Sequence, residues 1–404
     1  MGHPIEHAVG IYIGLLLLAC LVTIISKHVS HLPYTIFLTL MGLLIGILNV
    51  GPEISETGFG HELIFFVFLP PLLFQGAFHM NLDRLLKQFW PIVCFAMPGV
   101  IVSTLLVGGV VSWIGGISSL MAALLFGALI SPTDPVSVLS LFRDMGAPED
   151  LKTLVEGESL FNDATGVVLF TIFLKVVLDG QAPGLGEAAF QFIKVSGGGL
   201  MLGVVLGFVA FTLMRVLDDH LLENTLCLVL AYGAFWLAEV IHLSGVMATV
   251  MSGLMMGNYG RRLSMSKKTT ETIETFFESI DFIINSLLFT LMGLELREVS
   301  GAIPWITVFV AIAAMLTGRA VVSYSFYWLL NQVGTSRPRK WKHILFWGGL
   351  RGSIPVALLL HLPAEGVLEE WRSILLMAGF GCVFFSLVVQ GVTVGPLMRR
   401  LGVV

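Results

Sequence analysis

Thirteen apolar stretches follow one another with short polar connections between them, near 8–26, 34–50, 61–80, 90–113, 117–142, 152–178, 187–216, 221–241, 244–258, 270–295, 302–330, 341–361 and 371–398. About 20 apolar residues cross the hydrocarbon core of a bilayer as a helix. Charged residues make up only 12% of the chain and hydrophobic ones 56%, whereas soluble domains carry about 25% charge. So little charge cannot coat a soluble globule of this size. The expected fold class is an all-α polytopic membrane protein with about 13 transmembrane helices. The 244–258 span is short, while 152–178, 187–216, 302–330 and 371–398 are long enough to tilt or overhang the membrane.

Basic residues in the connections set the orientation. With the N-terminus outside, one inside connection holds Arg261, Arg262, Lys267 and Lys268, and another Arg337, Arg339, Lys340 and Lys342. The C-terminal end adds Arg399 and Arg400. Clear outside connections hold only Arg297 and Arg372, and the outside segment PEISETGFGHE (52–62) is acidic. This bias follows the positive-inside rule, so the N-terminus is expected outside and the C-terminus in the cytoplasm, most naturally at the cell (plasma) membrane. No soluble regulatory domain is expected at either end. A net charge of −5 gives no argument for nucleic acid. Cys20, Cys94, Cys227 and Cys382 lie in apolar runs without paired spacing and read as unbridged thiols.

Two spans are interrupted. Span five contains Ser131-Pro132-Thr133-Asp134-Pro135, and span twelve contains Gly348-Gly349-Leu350-Arg351-Gly352-Ser353-Ile354-Pro355. Proline removes a backbone donor and clashes with the preceding turn. Broken backbone at membrane depth is tolerated only against protein or a polar cavity. Spans five and twelve are seven apart, and an odd offset implies inverted-topology repeats, each with one discontinuous helix. Paired interruptions at matching positions point to a secondary-transporter site. Half-helix ends carry partial charges, so Asp134 and Arg351, of opposite sign, read as charge compensation at the two breaks. The plainer reading is a pair of proline kinks with a snorkelling arginine.

Span six carries GESLFND (157–163) inside an oily run. At 100° per residue, Glu158, Ser159, Asn162, Asp163 and Gly166 share about 140° of helix surface. A carboxylate at bilayer depth usually marks function. Burial disfavours its charged form, and hard cations prefer oxygen ligands, so proton and cation would compete for Asp163. Glu158 needs a partner, and Arg319, deep in AMLTGRAVVSYS of span eleven, is the preferred one. That pair reads as structural. Glu271, Glu274, Glu278, Asp281 and Asn285 form a stripe on span ten that reads as a solvated wall, with Asp281 and Asn285 deep enough to line an ion funnel. Glu239, His242 and His361 read as interfacial. His3, His7, His28, His31, His61 and His79 lie near span ends, with no convincing metal spacing.

Taken together, SPTDPVSV at 131–138, EGESLFNDATGVVLF at 156–170 and GGLRGSIPVAL at 348–358 resemble the electroneutral sodium/proton exchanger branch of the cation:proton antiporter superfamily, in its bacterial and archaeal form. The resemblance implies that Asp163 binds the cation or proton and that Asn162 marks one-for-one exchange. It implies that Thr133 and Asp134 are the unwound residues at the site and that Ser159 adds an oxygen, so Na⁺ is expected at Asp163, Ser159 and Thr133. Glu158 and Arg319 match the family's buried ion pair, and Arg351 its arginine at the second break. A homodimer is implied, with a core bundle (about 90–178 and 302–398) moving against a dimerisation scaffold (about 8–80 and 187–295).

The function expected is electroneutral Na⁺ (Li⁺)/H⁺ antiport by alternating access, serving pH homeostasis. Its partners would be monovalent cations, protons and the lipid bilayer, and it needs no cofactor. With Asn162 neutral, one titratable group faces the ion, and exchange of one cation for one proton moves no net charge. K⁺/H⁺ exchange on the same fold is the alternative. An ion channel is more distant, since no TVGYG-type filter appears. No nucleophile–base pair or HExxH motif argues for an enzyme.

Overall fold

The computed structural model describes residues 4–29, 34–48, 64–134, 138–139, 142, 145–180, 184–217, 219–298, 305–332, 338–363 and 366–403. The acidic 52–62 segment, Pro135 and Arg337 lie outside them, as do the side chains of Arg297, His3, His7, His28, His31 and His61. Every regular element among the described residues is helical.

In chain order the helices are α1 (Pro4–Val29), α2 (Tyr34–Ile47), α3 (Ile64–His79), α4 (Leu82–Lys87), α5 (Phe89–Ile114) and α6 (Leu120–Ile130). Then come α7 (Glu149–Asp179), α8 (Leu185–Met214), α9 (His220–Val240), α10 (Gly245–Met255) and α11 (Lys267–Glu298). The chain ends with α12 (Trp305–Gln332), α13 (Trp341–Trp347), α14 (Ser353–Leu360) and α15 (Glu369–Leu401). Among the described residues, seven helices are long and apolar enough to cross a membrane, and four shorter ones are also apolar. The chain is an integral membrane protein.

Caps explain several starts. Ser119, Asp219 and Ser244 each accept a hydrogen bond from a backbone N–H in the first turn of α6, α9 and α10, at 3.3, 2.8 and 3.1 Å. Large apolar side chains such as Trp113, Met201 and Ile306 stand exposed, as expected where hydrocarbon is the solvent. Packing between helices relies on close backbone approach. A Cβ at Gly203 of α8 would overlap the Ala248 carbonyl of α10. Short π-helical turns open α3 at Ile64–Phe68, follow α10 at Met256–Gly260 and interrupt α15 at Ser386–Gln390.

At the centre lies α7, which is buried along most of its length from Leu151 to Val177 and touches α3, α5, α6, α8 and α10. Regular α-helix stops at Ile130 in the fifth apolar stretch, and residues 131–134 are non-helical. In the twelfth stretch α13 stops at Trp347 and α14 starts at Ser353. The first irregular segment packs beside the middle of α7, and the two segments pack against each other.

Candidate functional site

Backbone groups freed by a helix break must be satisfied inside the protein, and polar side chains of other helices do this. At the first break Asn162 of α7 grips Thr133 twice. Its Oδ1 accepts from the Thr133 N–H at 3.1 Å, and its Nδ2 donates to the Thr133 hydroxyl at 2.7 Å. One turn earlier, the Ser159 hydroxyl donates to the Thr133 carbonyl. Gly166 makes room for the Pro132 ring, which a Cβ there would overlap.

The second break is held by the π-helical turn of α15. Arg351 N–H donates to the Ser386 hydroxyl at 2.7 Å, and Gln390 Nε2 donates to the Trp347 carbonyl at 3.2 Å. Arg351 is 1% exposed. Its Nη1 donates to the Gly349 carbonyl at 3.2 Å, and its guanidinium makes no ion pair among the described residues. The two breaks meet where the Asp134 N–H donates to the Leu350 carbonyl at 2.8 Å.

Beneath the breaks, Glu158 of α7 and Arg319 of α12 form a two-pronged ion pair, with Nη2 to Oε2 at 3.0 Å and Nη1 on Oε1. Arg319 also donates from Nε to the Leu345 carbonyl at 2.9 Å, tying the pair to α13. Gly349 leaves space for this guanidinium, since a Cβ would come within 2.6 Å of its Nε.

A cavity of about 340 Å³ opens beside α7. Asp163, Asp134 and Ser159 line it, as do Asp281 and Glu278 of α11 and Ser353 of α14. Asn162 and Thr133 do not; they clamp one another behind its wall. Asn285 also stays off the wall and donates to Asp281 Oδ1 at 2.9 Å. The sequence reading overlooked Gln75, Glu156 and Ser353 on this wall and left His79 at a span end. Glu156 lies two residues before Glu158 on the motif helix and was the one open to notice.

A second cavity, of about 330 Å³, lies toward the other end of α7, and Val167, Thr171, Lys175, Asp179, Glu239 and His242 are among its lining residues. Glu239 Oε1 accepts the Gly245 N–H at 2.9 Å. His361 is half-buried, its ring stacked on Phe65 at 4.8 Å between centroids, with Phe170 beyond at 6.2 Å. Another ion pair, Arg372–Glu295, joins α15 to the C-terminal end of α11. The four cysteines are free.

Two interrupted helices meet at a carboxylate-lined cavity inside an all-helical bundle. The chain belongs to the sodium/hydrogen exchanger family, whose transmembrane region it matches over residues 15–400. It is 38% identical to the Na⁺/H⁺ antiporter NhaP of Pseudomonas aeruginosa, over 95% of this chain and 95% of that one. To the Na⁺/H⁺ antiporter NhaH of Halobacillus dabanensis it is 36% identical, over 98% and 99%. To NhaG of Bacillus atrophaeus it is 37% identical, over all of this chain and 77% of the relative. Its fold is that of the sodium proton antiporter MjNhaP1 from Methanocaldococcus jannaschii at pH 8, with a TM-score of 0.82, 20% identity and 99% of each chain covered.

Proposed function

We propose that this chain is an electroneutral antiporter that exchanges Na⁺ or Li⁺ for H⁺, one for one, at Asp163. The observation that carries this reading is the shared cavity. Asp163 of α7, Asp134 of the first break and Ser159 line one cavity of about 340 Å³. Oxygen donors suit a small hard cation. A carboxylate removed from bulk water cannot stay charged without a counter-ion, so it carries either a proton or a metal ion. The antiporter names of relatives at 36–38% identity support the same chemistry.

Asn162 is neutral, so of the 162–163 pair only Asp163 brings a titratable group to the ion. The role of Asn162 here is to hold Thr133, and with it the unwound segment, in place. Thr133 shapes the site by anchoring the unwound segment to Asn162, and it does not line the cavity. Asp134 and Arg351 balance the helix ends at the breaks, and Glu158–Arg319 is structural. Asp281, oriented by Asn285, leads ions in from the mouth.

Two cavities on α7 support alternating access. The second begins at Val167, one turn and about 6 Å along the helix from Asp163. Small movement of a core bundle (about 90–178 and 302–398) against a scaffold (about 8–80 and 187–295) would pass the ion from one cavity to the other. Thirteen spans with inverted repeats, a homodimer, and a plasma-membrane location with the N-terminus outside complete the proposal. The test is a proteoliposome assay with an internal pH dye, adding Na⁺, Li⁺ and K⁺ in turn. Alkalinisation or acidification with Na⁺ and Li⁺ alone supports the reading. A response to K⁺ alone converts it to K⁺/H⁺ exchange, and silence with all three removes it.

A further inference from the structure

Where α8 ends, a cavity of about 520 Å³ opens between the α8–α9 link and the α10–α11 link. It shares no lining residue with the two cavities on α7. Arg215, His220 and Lys268 line it, and so do Asp219 and Glu223.

Opposite charges around one small cavity ordinarily close into ion pairs. These do not. Arg215 and Lys268 make no ion pair among the described residues, and the Arg215 guanidinium lies over the Phe211 ring, 4.9 Å from its centroid. Arg262, also on the wall, is engaged by Asp83 at 2.6 Å. Glu223 is 4% exposed, and its Oε2 has no hydrogen-bond donor among the described residues. A buried acceptor left unpaired costs its full desolvation, and the cost is higher for a carboxylate. The site therefore calls for a ligand with an anionic group for the two cations and an N–H donor for Glu223.

The surroundings say where that ligand comes from. Leu213 and Val216 at the end of α8, and Leu221 and Leu222 at the start of α9, are large apolar side chains standing exposed. They belong in hydrocarbon, so the polar cavity beside them sits at the depth of lipid headgroups. We propose that it binds the phosphoethanolamine headgroup of a bilayer phospholipid, with the phosphate on Arg215 and Lys268 and the primary ammonium on Glu223. A choline headgroup has no N–H to give Glu223, and a glycerol headgroup brings no positive charge to it.

The test measures thermal stability of the purified full-length chain in mixed micelles containing phosphatidylethanolamine, phosphatidylcholine or phosphatidylglycerol, with soluble phosphoethanolamine as a fourth arm. Phosphatidylethanolamine should raise the melting temperature at about tenfold lower concentration than the other two, the worth of one charge-assisted hydrogen bond. Glu223→Gln should erase that preference. Lys268→Ala, a change at an exposed side chain, should weaken the response to every phospholipid, and it carries the test should Glu223→Gln not fold. Equal responses to all three lipids, a preference that survives Glu223→Gln, or no effect of Lys268→Ala would overturn the proposal. An equal rise with soluble phosphoethanolamine alone would overturn the lipid as its source.

Discussion

The main chains of Asp134 and Leu350 are joined directly, N–H to carbonyl at 2.8 Å, although 216 residues separate them in sequence. Through this bond the two non-helical segments form one structure beside Asp163, and the position of the Asp134 carboxylate depends on both.

Gly352 is where that dependence can be tested. A Cβ at this position would overlap the carboxylate and the Cβ of Asp134. So short a side chain cannot swing clear unless its backbone, bonded to Leu350, moves too. Gly352→Ala should cut cation-driven proton movement at least tenfold while leaving helical content unchanged by circular dichroism. Wild-type exchange in this variant would show that Asp134 need not be held where it is.

Asp163→Asn keeps shape and removes the titratable group. Exchange in proteoliposomes should fall to background for Na⁺ and Li⁺ alike, with the protein still monodisperse and cooperatively melting. Retained exchange would move the ion site elsewhere, with Asp281 the next carboxylate on the same cavity wall.

Glu158 and Arg319 are both nearly inaccessible. Breaking a buried pair by removing one partner typically costs about 3–5 kcal/mol, because it strands the other charge, whereas removing both costs less. Glu158→Ala should therefore lower the melting temperature more than Glu158→Ala combined with Arg319→Met. Equal losses would mean that the carboxylate is not what keeps the guanidinium buried.

One cation for one proton carries no net charge, so a membrane potential has nothing to act on. Initial rates in proteoliposomes should be the same with and without a valinomycin-imposed potassium potential of about 100 mV. A rate that follows the potential would exclude one-for-one exchange.

Much of this was readable in the chain itself. Long apolar runs with most of the charge in short connections mark a helical membrane protein, because hydropathy and backbone satisfaction are local properties. Pro132 and the Gly348–Gly352 run announce broken helices for the same reason, since the constraint lies in the residue. The motif segments at 131–138, 156–170 and 348–358 carried a resemblance that agrees with the family match over residues 15–400.

What needed the tertiary structure were the partners. Nothing local to α15 says that Ser386 and Gln390 brace the second break, because the π-helical turn that aims them has no sequence signature. Asn162 and Asp163 are neighbours with similar side chains, yet one faces the unwound chain and the other the cavity, a division fixed by where Thr133 packs. His361 and Arg372 read as residues at helix ends, and only packing gave them Phe65 and Glu295. Composition and periodicity state what each residue must hide from lipid. Which groups converge to hide it depends on contacts between helices distant in the chain, and those exist only once the bundle has assembled.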